Sequence, residues 1–102
     1  MSTLYITEYQ GIGLRPNQPM QSPLEPALTT QAITFSGTQG TSAAFSANTE
    51  LVRITADGIC SYLFSAAGTP ATTSHPRLAL GVAEYHCVPK GGGFKVSAIT
   101  NA

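Results

Sequence analysis

Hydrophobic and polar positions alternate along most of this chain with a period of two. The clearest stretch is Leu51-Val52-Arg53-Ile54-Thr55-Ala56, followed by Asp57-Gly58 and then Ile59-Cys60-Ser61-Tyr62-Leu63-Phe64. Successive side chains of a strand point to opposite faces, so such alternation is the mark of a half-buried strand. Asp-Gly between two alternating runs predicts a β-hairpin. Further strands are expected over residues 1–9, at Ala32-Ile33-Thr34-Phe35, Ser42-Ala43-Ala44-Phe45-Ser46, Arg77-Leu78-Ala79-Leu80 and Glu84-Tyr85-His86-Cys87-Val88. Phe94-Lys95-Val96-Ser97-Ala98-Ile99 closes the series. In the first strand Leu4, Ile6 and Glu8 share one face and Tyr5, Thr7 and Tyr9 the other. Neither face is cleanly apolar, which leaves open which one is buried. No segment sustains a 3.6-residue period, so no helix longer than a turn or two is expected.

Short strands separated by turn residues every ~8–12 residues read as an all-β fold, a single small β-sandwich or jelly-roll. Phe35, Phe45, Val52, Ile54, Phe64 and Val96 are its expected core. Residues 14–28 differ, because Pro16, Pro19, Pro23 and Pro26 follow in quick succession. Each proline fixes its own φ and extends the residue before it. The chain therefore divides into 1–29, an opening strand with an extended proline-rich N-terminal arm, and 30–102, the sandwich domain. Met20, Leu24 and Leu28 are the arm's candidate partner-binding anchors; a plain linker is the alternative.

Composition narrows the function classes. The chain has 102 residues, enough for one domain. Five basic residues balance five acidic ones, with only 10% of residues charged. Direct nucleic-acid contact is not expected without a basic stripe. Free-standing small domains usually display ~25–35% charged surface. The deficit fits either a surface covered by protein partners or one solvated by Ser, Thr, Asn and Gln. No run approaches the ~18 apolar residues of a membrane helix. The opening Met1-Ser2-Thr3-Leu4-Tyr5-Ile6 lacks the basic-then-apolar form of a secretory signal. Cytoplasmic synthesis and assembly are expected, and with them reduced, buried Cys60 and Cys87 rather than a bridge between them.

Candidate chemistry is sparse. His86 and Cys87 are adjacent, but neighbouring strand residues diverge, so they do not make a nucleophile pair. Tyr85 and Cys87 are expected to face the core, with Glu84 and His86 outward. The two histidines and two cysteines lack zinc-ligand spacing. In Lys90-Gly91-Gly92-Gly93 the lysine precedes the glycines, opposite to a phosphate loop, and a hairpin turn is expected. Arg53, in the middle of an otherwise apolar run, reads as a solvated outward residue, with an interface salt bridge as the alternative. No catalytic, cofactor-binding or metal-ligating residue is expected, and no enzyme activity.

The segment Leu4-Tyr5-Ile6-Thr7-Glu8-Tyr9 resembles the start of small virion proteins of tailed bacteriophages. The block from Ser42-Ala43-Ala44-Phe45 through Leu51-Val52-Arg53-Ile54 to Asp57-Gly58-Ile59-Cys60-Ser61 is similar too. So are the Pro/Ala/Thr loop after it, Arg77-Leu78, Glu84-Tyr85, Val88-Pro89 with its glycine turn, and Phe94-Lys95-Val96-Ser97-Ala98-Ile99. The likeness covers most of the chain. It implies a homo-oligomeric structural protein of the virion: a capsid decoration or cement protein on the assembled head, with the major capsid protein and copies of itself as partners. A head–tail connector or tail component is the second reading. A small carbohydrate- or receptor-binding β module, with Tyr5, Tyr9, Tyr62 and Tyr85 as stacking candidates, is a third of another class.

Overall fold

The computed structural model describes residues 2–15, 18–23 and 27–101; for 12–15 and 18–23 the description is of the backbone pairing. Among the described residues ten strands occur: β1 (Ser2–Tyr9), β2 (Ile12–Arg15), β3 (Gln18–Pro23), β4 (Thr29–Phe35), β5 (Gly40–Thr41), β6 (Leu51–Ala56), β7 (Cys60–Ser65), β8 (Arg77–Leu78), β9 (Glu84–Cys87) and β10 (Lys95–Thr100). No helix occurs among the described residues. The fold is all-β, with two antiparallel four-stranded sheets of order β4-β1-β6-β9 and β5-β10-β7-β8. Both sheets supply one core: Leu4, Ile6, Val52 and Ile54 from the first, Cys60, Tyr62, Val96 and Ala98 from the second. Phe35, Phe45, Val52, Ile54 and Val96 are buried as their alternation predicts, and Phe64 is partly buried against them.

Asp57-Gly58 does not close a hairpin. β6 pairs with β1 and β9, whereas β7 pairs with β10 and β8, so the dipeptide carries the chain from one sheet to the other. Asp57 is engaged by β1 instead. Its N–H donates to the Thr3 carbonyl at 3.2 Å, and its carboxylate accepts the Thr3 N–H at 2.7 Å. Gly58 passes so close to Ser2 that any Cβ would collide with its side chain. It is absent from the positive-φ glycines, and a type I′ hairpin needs φ above zero at both central residues. The glycine turn 91–93 likewise joins β9 to β10 across sheets rather than within one. There Gly91 and Gly93 do adopt positive φ, 74° and 63°.

Two other segments depart from expectation. Ser42–Ser46 forms no strand; it follows β10 through Ser42 N–H to Val96 carbonyl (2.9 Å) and Phe45 N–H to Phe94 carbonyl (2.8 Å). Within the proline-rich segment the described backbone pairs with itself, β2 against β3, with Ile12 opposite Pro23 and Leu14 opposite Pro19. A two-stranded ribbon consists of edges, where a proline's missing N–H need not break a ladder. The opening strand β1 lies between β4 and β6, inside the first sheet.

The cysteines also separate. Cys60 is buried and Cys87 exposed, both as free thiols, so the expected burial of Cys87 is corrected. One thiol should react with a maleimide in the native protein and a second only after denaturation. Two fast native thiols would contradict the placement of Cys60.

Candidate functional site

Strand register puts the polar groups of β9 on the core side. Val52 lies opposite His86 and Ile54 opposite Glu84, whereas Leu51 and Arg53 lie opposite Cys87 and Tyr85. Directly opposed residues share a face. Glu84 and His86 therefore point toward the second sheet, and Tyr85 and Cys87 point out, the reverse of the sequence expectation. β9 is an edge strand, so this inner position is only half covered: Glu84 and His86 remain about one-third exposed, at 34% and 31% of their side-chain surface.

Across from them stands Tyr62 of β7. Its hydroxyl donates to Glu84 Oε1 at 2.6 Å and lies 3.1 Å from His86 Nε2. His86 Nε2 is also 3.2 Å from Glu84 Oε1. A phenol has one proton to give. With that proton on Glu84, the arrangement is satisfied by His86 carrying a hydrogen on Nε2. The His86 ring leans on Phe64, centroids 5.1 Å apart, and on Tyr62 at 5.3 Å. Phe64 in turn meets Phe45 edge-on at 6.1 Å. The cluster ties the edge of one sheet to an inner strand of the other.

Burial raises the Tyr62 phenol above its ordinary range, reinforced by its hydrogen bond to the Glu84 carboxylate and by that group's charge. It is held protonated and acts as a donor, not a base. Burial, with the Glu84 charge as the lesser cause, also pushes the Cys60 thiol up to about 11. Both shifts favour the protonated form in the folded state. Their contribution to stability is therefore complete below the unfolded thiol's value of 9.0 and lost as pH rises through about 11 and beyond. The unfolding temperature should fall over that range, and less steeply in a Cys60→Ala/Tyr62→Phe variant. Parallel declines in the two proteins would refute the assignment.

A second polar centre, invisible to motif reasoning, lies at the other end of β1. Glu8 is fully buried. Its Oε1 accepts the Ser46 N–H at 2.7 Å and the Thr49 hydroxyl at 2.8 Å. Its Oε2 accepts from the Gln31 side chain at 2.9 Å. Gln31 also accepts the Ala43 N–H at 2.9 Å through its own carbonyl oxygen. The carboxyl group thereby pins the connection from β5 to β6 beneath the first sheet. The only sequence sign of it is that Glu8 shares a face with Leu4 and Ile6.

The outer face of the first sheet carries Tyr5, Thr7, Arg53, Thr55, Tyr85 and Cys87. Tyr5 is 48% and Tyr85 51% exposed; the β8–β9 connection, tied to the end of β6 by the Gly81 N–H to the Ala56 carbonyl (3.2 Å), exposes Leu80 (59%) and Val82 (47%). Arg53 lies between Thr7 and Tyr85 and is half-buried. Tyr9 and Tyr62 are buried, which removes them from the stacking candidates. Of the arm anchors, Leu28 is 39% exposed. Met20 lies on β3, with no side-chain description, and Leu24 lies outside the described residues. A hollow is bounded by Thr34, Phe35, Ser36, Thr38 and Gln39, none of them a member of the Tyr62 cluster. Comparison of the chain with family models, with curated proteins and with solved structures finds no match.

Proposed function

We propose that this chain is a structural protein of a tailed-bacteriophage virion, a capsid decoration protein held on the assembled head by surface burial. The supporting observation is the exposure of Tyr5, Leu80, Val82 and Tyr85 on a chain in which only 10% of residues are charged. Aromatic anchors with few surrounding charges are the composition of protein interfaces. The sequence resemblance supplies the kind of particle. Met20, Leu24 and Leu28 remain the proposed arm anchors. The major capsid protein and neighbouring copies are the proposed partners, with the virion, assembled in the host cytoplasm, as the location. Many repeated sites let a modest affinity per copy suffice.

Quantitative mass spectrometry of purified particles tests this reading. A copy number comparable with that of the major capsid protein is expected. A number far below it reassigns the chain to a head–tail connector or tail component, and absence from the particle rejects a virion role.

A further inference from the structure

We propose that the outer face of the first sheet is the surface that docks on the head shell, and that the shell surface it meets presents a carboxylate to Arg53. This rests on the decoration reading above and adds the face and the chemistry of its partner. The four strands β4, β1, β6 and β9 expose on this face Thr30, Ala32 and Thr34; Thr3, Tyr5 and Thr7; Arg53 and Thr55; and Tyr85 and Cys87, whereas Tyr9 and Leu51 at one end of it are buried. Arg53 is the one charge among them. Its row runs Thr30, Thr7, Arg53, Tyr85 across the sheet. Tyr5 stands one diagonal step away, opposite Thr55. Diagonal neighbours on a sheet face lie about 7–8 Å apart, within reach of long side chains.

Among the described residues the guanidinium has no ion-pair or hydrogen-bond partner. Two carboxylates of the same sheet region are committed elsewhere: Glu84 faces inward to Tyr62, and Asp57 holds the Thr3 N–H. A half-buried arginine without a counter-ion among the described residues, flanked by two half-exposed tyrosines, has the make-up of an interface hot spot. Arginine also binds carboxylates through two parallel hydrogen bonds, which fixes orientation as well as adding energy. Charge complementarity therefore selects a partner surface offering an acidic side chain. It selects against a second copy stacked face to face, because a two-fold contact centred here would set Arg53 against Arg53.

Area sets how the face is used. Four strands about 4.8 Å apart and about 20 Å long span roughly 400 Å², of which the end at Tyr9 and Leu51 is already buried. That is about half of the ~800 Å² each partner contributes to a standard stable interface. The adjoining Leu80 and Val82 extend the apolar area, and repetition over many copies supplies the remainder.

Cys87 is a built-in reporter, since its free thiol is exposed on this face beside Tyr85. The experiment uses the full chain and assembled head shells of the phage that carries it. Maleimide labelling of Cys87 should be fast in the free protein and slowed at least tenfold on the shell. A cysteine placed at exposed Thr72 should label equally in both states. Arg53→Glu should weaken shell binding at least tenfold, Arg53→Gln less, and Lys95→Glu, on β10 of the second sheet, not at all. Circular dichroism of each variant confirms that it is folded, and the Cys87 result needs no substitution at Arg53.

Shell binding with Cys87 labelled at its free rate overturns the face while leaving the decoration reading intact. Protection of Cys87 with undiminished binding by Arg53→Glu overturns the carboxylate. Self-association of the free protein that Arg53→Glu abolishes assigns the face to a second copy and overturns the shell as occupant. Failure of the wild-type chain to bind shells removes the decoration reading and this inference together.

Discussion

Replacing Glu8 by alanine is expected to lower the unfolding free energy by about 3–5 kcal/mol, the range seen when one partner of a buried polar group is deleted. Three donors lose their acceptor at once: the Ser46 N–H, the Thr49 hydroxyl and the Gln31 amide. Thr49 is itself buried, so water cannot readily replace the carboxyl oxygen. Each buried donor left unsatisfied costs ~1–3 kcal/mol, and Gln31, only partly buried, recovers some of its share from solvent. Glu8→Gln should cost less. Its carbonyl oxygen can still accept from Ser46 and Thr49, while its amide nitrogen opposes that of Gln31. Denaturant unfolding with an unchanged m-value is the measurement. An alanine cost below about 1 kcal/mol would mean that the connection from β5 to β6 holds its path without the carboxyl group.

The second large effect is expected at Ile54. It is fully buried, opposite Ile6 on β1 and Glu84 on β9. Ile54→Ala removes methyl groups from the centre of the two-sheet core, where a dense surround relaxes only in part, and should cost about 2–5 kcal/mol. Thr55→Ala, one residue along on the outer face, should stay within about 0.5 kcal/mol. The contrast between neighbours is the sharper observation. Comparable losses at both positions would show that the inward face of β6 has been misassigned.

Much of the local structure was legible. β1, β4, β6, β7, β9 and β10 all fall on alternating segments, because a strand's geometry writes its period of two directly into the side chains. Burial of Val52, Ile54 and Val96 follows, since each lies on a strand face with other apolar residues. β9 shows where this reading stops. Alternation correctly grouped Glu84 with His86 and Tyr85 with Cys87, yet the polar pair turned inward. At the edge of the sheet an inner position is half solvated, and Tyr62 waits there with a hydroxyl, so an Ile-like residue was not required. The candidate site was illegible for the same reason: its members sit on strands of different sheets, with no spacing in common.

What the sequence determined by itself is most of the longer strands, the residues that share each of their faces, and the all-β class that follows from them. These depend on backbone geometry within a few residues. Which strands pair, and which face of an ambiguous strand goes inward, only the tertiary structure decided. Asp57-Gly58 carries the strongest local hairpin signal in the chain, yet β6 and β7 end in different sheets. Asp57 gains its hydrogen bonds from Thr3, a residue 54 positions away. The same distance in sequence separates Ser42 from Val96, whose N–H it accepts. A turn propensity is worth on the order of 1 kcal/mol, whereas joining two apolar sheet faces gains roughly 25 cal/mol for every Å² withdrawn from water. Burial of the whole face therefore overrules the turn, and no window of a few residues contains the information.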